Sequence, residues 1–206
     1  MRSVQYCNIF HARPSPFEGR FFLDCHFLRE LKMADSFAAI DFETADEKRD
    51  SACALSIVIV NNNRIDKHLS FLIKPPRQQF LFSYLHGIRW EDVVNKPTFS
   101  QLWPQISHYF ENLDFIAAHN APFDKSVLLT CCRRASIKPP EVPFVCTVKL
   151  AREIWNIYPT KLPHVCKKLG IPLDHHNAAS DALACAKIVL AAQKKSISNF
   201  LASYCF

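Results

Sequence analysis

The 206-residue chain contains only three glycines, Gly19, Gly87 and Gly170. Such sparse glycine excludes a Walker-type phosphate loop and a G-x-G-x-x-G dinucleotide turn, because each needs clustered glycines to bring backbone amides onto phosphate. Long apolar runs are missing too, and none approaches the roughly 20 residues that cross a bilayer. The first residues lack the charged start, apolar stretch and small-residue cleavage site of a secretory signal. Nine cysteines are scattered along the chain without a C-x-x-C pair, which gives a structural zinc site little support. Their expected use is as reduced, small core residues of a soluble cytoplasmic protein.

What is present is apolar and moderately basic. Hydrophobic residues make up 49% of the chain, with 17 Phe, 5 Tyr and 3 Trp. That is enough to bury in one domain core and too much for a disordered chain. Lys and Arg number 25 against 19 Asp and Glu, a net +6. The balance leans towards a polyanionic partner without requiring one.

Punctuation along the chain gives a coarse order of elements. Arg13-Pro-Ser-Pro16 breaks regular structure, and the aromatic pairs around it are too short to form a core. Phe37–Phe42 and the β-branched run Ala52–Val60 suit buried strands, and Asn61-Asn-Asn turns the chain into Ile65–Ile73, together an antiparallel meander. Thr98 can cap a helix that aligns Leu102, Ile106, Tyr109 and Phe110 on one face. A strand over Phe115–His119 precedes a helix from about Pro122 to Arg134, and Phe144–Thr147 reads as one more strand. Helices are expected over Lys149–Ile157, over Leu162–Leu169 with a stop at Gly170, and over Asn177–Gln193. A meander followed by alternating helices and strands predicts an α/β fold with a mixed sheet flanked by helices.

Three short groups carry chemistry. Asp41-Phe-Glu43 ends the opening strand, where alternation points both carboxylates one way and Phe42 the other. Such acids repel unless a cation lies between them; alone, a D-x-E pair more often marks solvated acids at a strand end. His119-Asn-Ala-Pro-Phe-Asp124 runs from strand into helix, where an Asp in the first turn can also simply complement the helix dipole. His176-Asn-Ala-Ala-Ser-Asp181 opens the last helix, with His175 an immediate rival for any role given to His176.

In this order the three groups resemble the DEDDh family of 3′–5′ exonucleases, which includes the epsilon proofreading subunit of bacterial replicative polymerase and ribonuclease T. D-x-E matches Asp41 and Glu43, H-N-x-x-F-D matches His119, Asn120, Phe123 and Asp124, and H-x-A-x-x-D matches His176, Ala178 and Asp181. The last match selects His176 over His175. Leu162-Pro-His-Val-Cys-Lys-Lys-Leu-Gly-Ile also resembles the family's helix before its third motif. The likeness extends from about Ser36 to Ala192. Proofreading subunits commonly continue D-x-E with Thr-Thr-Gly, whereas Thr44-Ala45-Asp46 follows here, and little chain remains for a polymerase-tethering tail. Both departures favour a stand-alone exonuclease over a polymerase partner.

The resemblance implies a ribonuclease H-like fold over residues 33–206, with residues 1–32 an N-terminal extension, appended or translated from upstream of Met33, or else an arm packed on the domain. It implies two divalent cations, Mg²⁺ or Mn²⁺, held by Asp41, Glu43, Asp124 and Asp181. His176 would act as general base, releasing nucleoside 5′-monophosphates. It also implies that Thr44, Ala45, Asn120 and Phe123 contact the terminal nucleotide. Substrates would be DNA or RNA 3′ ends, single-stranded, and a homodimer is compatible because some relatives are dimeric. Phosphate contacts are open to Lys149, Arg152, Lys161, Lys167 and Lys168, against which only Glu153 stands between 149 and 170; the plainer account is a solvated helix face. Setting aside residues 1–32 and the four acids leaves 20 basic against 12 acidic residues around the site. The alternative function is a catalytically silent nucleic-acid-binding or polymerase-associated module of the same fold.

Overall fold

The structure, a computed structural model, describes residues 35–204, and side chains for 35–195. The expected extension at 1–32 lies outside the described residues. Five strands form one sheet: β1 Ser36–Thr44, β2 Ala52–Asn61, β3 Arg64–Leu72, β4 Phe115–Ala118 and β5 Phe144–Cys146. Their order is β3-β2-β1-β4-β5, with β1 to β3 antiparallel and β4 and β5 parallel to β1. This is the mixed, helix-flanked sheet expected. Asn62 and Asn63 join β2 to β3 with φ of 50° and 60°, the positive values that a tight hairpin needs and that Asn tolerates.

Helices follow as α1 Ser83–His86, α2 Trp90–Val93, α3 Phe99–Ile106, α4 Ala121–Arg134, α5 Thr147–Trp155, α6 Leu162–Leu169 and α7 Ala178–Tyr204. The single-turn helices α1 and α2 carry no periodic signal and were not anticipated. Thr98 caps α3 as expected, its N–H donating to Gln101 Oε1 at 2.9 Å. Helix α7 runs eleven residues past the expected end at Gln193, because residues 194–204 contain no Gly or Pro to stop it.

Alternation along β1 divides the core. Ala38, Ile40 and Phe42 face α3 and α4, meeting Leu102, Ile106, Val127 and Leu128. Phe37 and Ala39 face α7, which presents Ala182, Cys185, Ala186, Val189 and Ala192. Those small side chains let α7 lie close on the sheet. Asp41 and Glu43 continue the α7 face at the strand's end, so the helix that covers the sheet also brings its own first turn over them. Among the described residues all six cysteines are free and five are buried, in keeping with their expected use as core residues. No helix among the described residues is long and apolar enough to cross a membrane.

The segment after Glu43 is fastened by charge. Arg77 donates from Nε to Asp46 Oδ2 at 2.8 Å and from Nη1 to Asp50 Oδ2 at 3.1 Å. Burial pushes the Asp46 carboxyl up, but hydrogen bonds from Arg77, the Lys48 N–H and Ser51 outweigh it and hold the group below its ordinary range. Asp50 is held low first by its hydrogen bond to Arg77. Lowered carboxyls contribute stability above their unfolded pKa, near 4, and lose it as pH falls through the folded value. Replacing Arg77 by Met should therefore cost about 1–3 kcal/mol at neutral pH, and less at about pH 3. Denaturant titration checks this; an equal deficit at both pH values would contradict it.

Candidate active site

Strand β1 delivers Asp41 and Glu43, paired across β2 with Ser56 and Ala54. A register shift falls between Glu43 and Thr44, which ends the regular strand just beyond the second carboxylate. Asp124 lies in the first turn of α4 and is 2% exposed. Its Oδ1 accepts the Phe42 N–H at 3.0 Å, fixing the second motif to the middle residue of the first. Asp181 lies in the first turn of α7 and is also buried. Its Oδ2 accepts His175 Nδ1–H at 3.0 Å and the His176 N–H at 3.2 Å, while its Oδ1 is buried without a partner.

The four carboxylates feel one another. Burial first, then the charges of Asp124, Glu43 and Asp181, raise Asp41 well above the usual range. Burial and the charges of Asp181 and Asp124 push Glu43 to about 8. Burial raises Asp124 to about 7 against the opposing Phe42 hydrogen bond, and burial also raises Asp181. A cavity of about 290 Å³ is lined by Asp41, Glu43, His119, Lys161, His176 and Asp181, among others. The structure thus brings Asp41, Glu43, Asp181 and His176 to one cavity, while Asp124 does not line it and acts on Asp41 and Glu43 through its charge.

An orphaned carboxylate oxygen beside three mutually repelling acids is an all-oxygen donor set, which suits hard divalent cations such as Mg²⁺ or Mn²⁺. The residues present fit such ions. Among the described residues, the one trio of donor groups whose ligand atoms all lie within 4.8 Å is His175, His176 and Asp181.

The two histidines divide their work. His175 tethers its ring to Asp181, and His176 stacks on that ring at 3.9 Å between centroids. His176 has φ of 67° and gives Asp181 only its backbone N–H, leaving both ring nitrogens without a hydrogen-bond partner. The tether of His175 was not foreseen from sequence.

Of the expected nucleotide contacts, Thr44 and Ala45 are buried and already engaged. Ala45 donates its N–H to Ser51 O at 2.9 Å, and its carbonyl accepts from Leu81 at 2.7 Å and Phe82 at 3.3 Å. The Thr44 carbonyl accepts His86 Nε2–H at 3.2 Å, a tautomer fixed because His86 Nδ1 takes the Ile88 N–H. Asn120 is exposed at the cap of α4 with φ of 64°. Phe123 packs partly against the core under the Arg49 guanidinium, 4.3 Å from its centroid. Neither Asn120 nor Phe123 lines the carboxylate cavity. Of the five basic candidates, Lys161 does.

His86 is a neighbour that sequence reasoning missed. With Leu85 and Ile88 it walls a groove of about 500 Å³ that also reaches Glu43, Phe71 and His176. The His-Gly pair at 86–87 was the available signal, since Gly87 closes α1 in the left-handed conformation. His119 turns out to be braced rather than open. Its Nε2–H donates to the Thr160 carbonyl at 2.9 Å, its Nδ1 meets Thr147 Oγ1 at 2.8 Å, and burial pushes it down to about 4.

Comparison with known proteins agrees with this geometry. Residues 38–189 match the exonuclease family model (RNase_T). The PolC-type DNA polymerase III of Thermotoga petrophila is 31% identical over 159 residues, which span 75% of this chain and 12% of that protein. Exodeoxyribonuclease 10 of Escherichia coli is 29% identical over 145 residues, 66% of this chain and 59% of that protein. The chain therefore spans less than two thirds of either relative. The solved nuclease domain of 3′hExo, a DEDDh family member bound to rAMP, superimposes with a TM-score of 0.69 at 19% identity, over 78% of this chain and 92% of that one. The chain therefore belongs to the exonuclease family over residues 38–189, on a ribonuclease H-like fold shared with that solved domain.

Proposed function

We propose that this domain removes nucleotides one at a time from the 3′ end of DNA or RNA, releasing nucleoside 5′-monophosphates. The observation that carries the reading is the convergence of Asp41, Glu43, Asp124 and Asp181 from three elements, with a buried Asp181 oxygen left unpartnered. Such an arrangement is costly unless something positively charged is meant to sit in it. That cost weighs against a silent binding module, which has no use for the repulsion. These four residues would hold two divalent cations, which when bound supply electrophilic stabilisation to both oxygens of an in-line displacement.

The chain's own groups do the rest. Asp124 is anchored by the Phe42 N–H, so its position does not depend on a ligand. His176, its ring nitrogens unengaged, takes the proton of the attacking water. His175 holds Asp181 in place through Nδ1. Lys161 offers positive charge at the mouth of the cavity, where a phosphodiester would enter.

Replacing Asp41 or Asp181 by Ala should abolish divalent-dependent release of mononucleotide, with the circular dichroism spectrum unchanged. Retention of most activity by either purified variant would overturn the assignment. His176→Ala should lower turnover about 10²–10⁴-fold, and His175→Ala should lower it less. The reverse order would move the base to His175.

The raised carboxyls also set a pH dependence. Folded Asp124 and Glu43 keep protons up to about 7 and 8, whereas unfolded carboxyls lose them near 4. The native state binds more protons throughout that window, so cation-free stability falls as pH rises across it. Thermal unfolding in chelator should show Tm declining from about pH 5 to pH 8, with Mg²⁺ flattening the decline and Asp124→Asn raising the cation-free Tm at the alkaline end. An Asp124→Asn protein less stable than the parent at pH 8 without cations would refute this.

A further inference from the structure

The loop between α5 and α6, residues 156–161, is held from two sides and belongs to neither core cluster on the sheet. His119 Nε2–H donates to the Thr160 carbonyl at 2.9 Å, and Arg152 Nε–H donates to Thr160 Oγ1 at 2.8 Å. Thr160 is thereby fixed between the second motif and helix α5, and the chain on either side of it faces outwards. On one side Lys161 is exposed and lines the carboxylate cavity. On the other Tyr158 is 65% exposed, with the Arg152 guanidinium 5.7 Å from its ring centroid. Among the described residues the terminal nitrogens of Arg152 have no hydrogen-bond partner.

An aromatic ring left in water beside the Arg152 guanidinium, in a loop whose Lys161 lines the carboxylate cavity, has the makings of a nucleotide seat. Stacking on such a ring is tolerant of base identity, and Arg and Lys beside it take the phosphate. Tyr84, at 79% exposure the other prominent surface aromatic, lacks the second half of this arrangement. Residues 78–88 around it contain no Lys or Arg. Charge complementarity therefore singles out Tyr158, whose loop also carries the cavity-lining Lys161.

We propose that the 156–161 loop seats the second nucleotide from a single-stranded 3′ end, with its base stacked on Tyr158 and its phosphate held by Lys161 and Arg152. This inference rests on the exonuclease reading above. A paired strand would keep that base stacked in its own duplex, so the seat favours an unpaired end of at least two nucleotides. It also gives His119 a function outside the reaction, as a positioning residue for the loop.

Two substrates separate the inference from the reading it rests on. A short oligothymidylate has a second nucleotide, and thymidine 5′-(4-nitrophenyl phosphate) has none. Tyr158→Ala should raise KM for the oligonucleotide about 5- to 150-fold and leave hydrolysis of the ester unchanged, while Tyr158→Trp retains oligonucleotide binding. Lys161→Ala should reduce the slope of log affinity against log salt by about 0.7, one single-strand phosphate contact. Affinity for the oligonucleotide is read independently by fluorescence anisotropy with Ca²⁺ in place of Mg²⁺. If the unaltered protein releases no mononucleotide from either substrate, the exonuclease reading fails and anisotropy still tests the seat. If Tyr158→Ala binds the oligonucleotide within twofold of the parent, or impairs both substrates equally, the seat is overturned.

Discussion

Four carboxylates cannot share one end of a sheet without something to hold them there, and most of what is distinctive in this chain serves that constraint. Burial drives Asp41, Glu43, Asp124 and Asp181 towards their neutral forms, and the charges of neighbouring acids add to it at Asp41 and Glu43. Opposing this are a few directed donors: the Phe42 N–H on Asp124, and the His175 ring and His176 N–H on Asp181. These donors satisfy part of each acid's demand and leave Asp181 Oδ1 unsatisfied. A fold that merely needed polar residues at this edge would have satisfied that oxygen as well. On the proposed function, that residual imbalance is what a divalent cation would complete.

The sheet makes the imbalance affordable by distributing its supports across both faces. Phe42 sits in the α3–α4 core while its flanking acids face α7, so one strand joins both hydrophobic layers at the point of greatest electrostatic stress. The first turns of α4 and α7 then approach from opposite faces, each bearing one acid. Helix α7 can come close only because its inner face is Ala182, Cys185 and Ala186. Larger side chains there would hold Asp181 away from Asp41. Beyond Glu43 the Asp46–Arg77–Asp50 network supplies the reverse case, acids held ionised by a matched cation. The two environments lie within a few residues of each other and have opposite pKa directions, a contrast that supports the proposed reading of the first as a site and the second as a fastening.

Much of this was legible from local pattern. Period-two alternation placed Asp41 and Glu43 on one face, the Ala-Pro-Phe-Asp run placed Asp124 in a first turn, and the strands and longer helices fell close to their expected ranges. What escaped were contacts between residues distant in sequence. The bond of His86 to Thr44 spans 42 residues, and that of Arg77 to Asp46 spans 31. No periodicity encodes either. The single-turn α1 and α2 are too short to show a period; Leu85 and His86 of α1 help wall the groove beside Glu43. The backbone of Ala45, expected to meet a nucleotide, is occupied by Ser51, Leu81 and Phe82.

The second motif shows how a residue can be fixed in a pattern without taking part in chemistry. In H-N-x-x-F-D, Asp124 reaches the site, whereas His119 turns to Thr147 and Thr160. Its buried ring, pushed down to about 4 by desolvation, stays neutral at physiological pH and so can donate from Nε2 while accepting at Nδ1. The ring thereby bridges Thr147, the first residue of α5, to Thr160 in the loop before α6. That bridge ties the spacing of Lys161 and Tyr158 to the strand that ends at the carboxylates. One histidine of the motif set is thus suited to moving a proton, and the other is suited to never doing so.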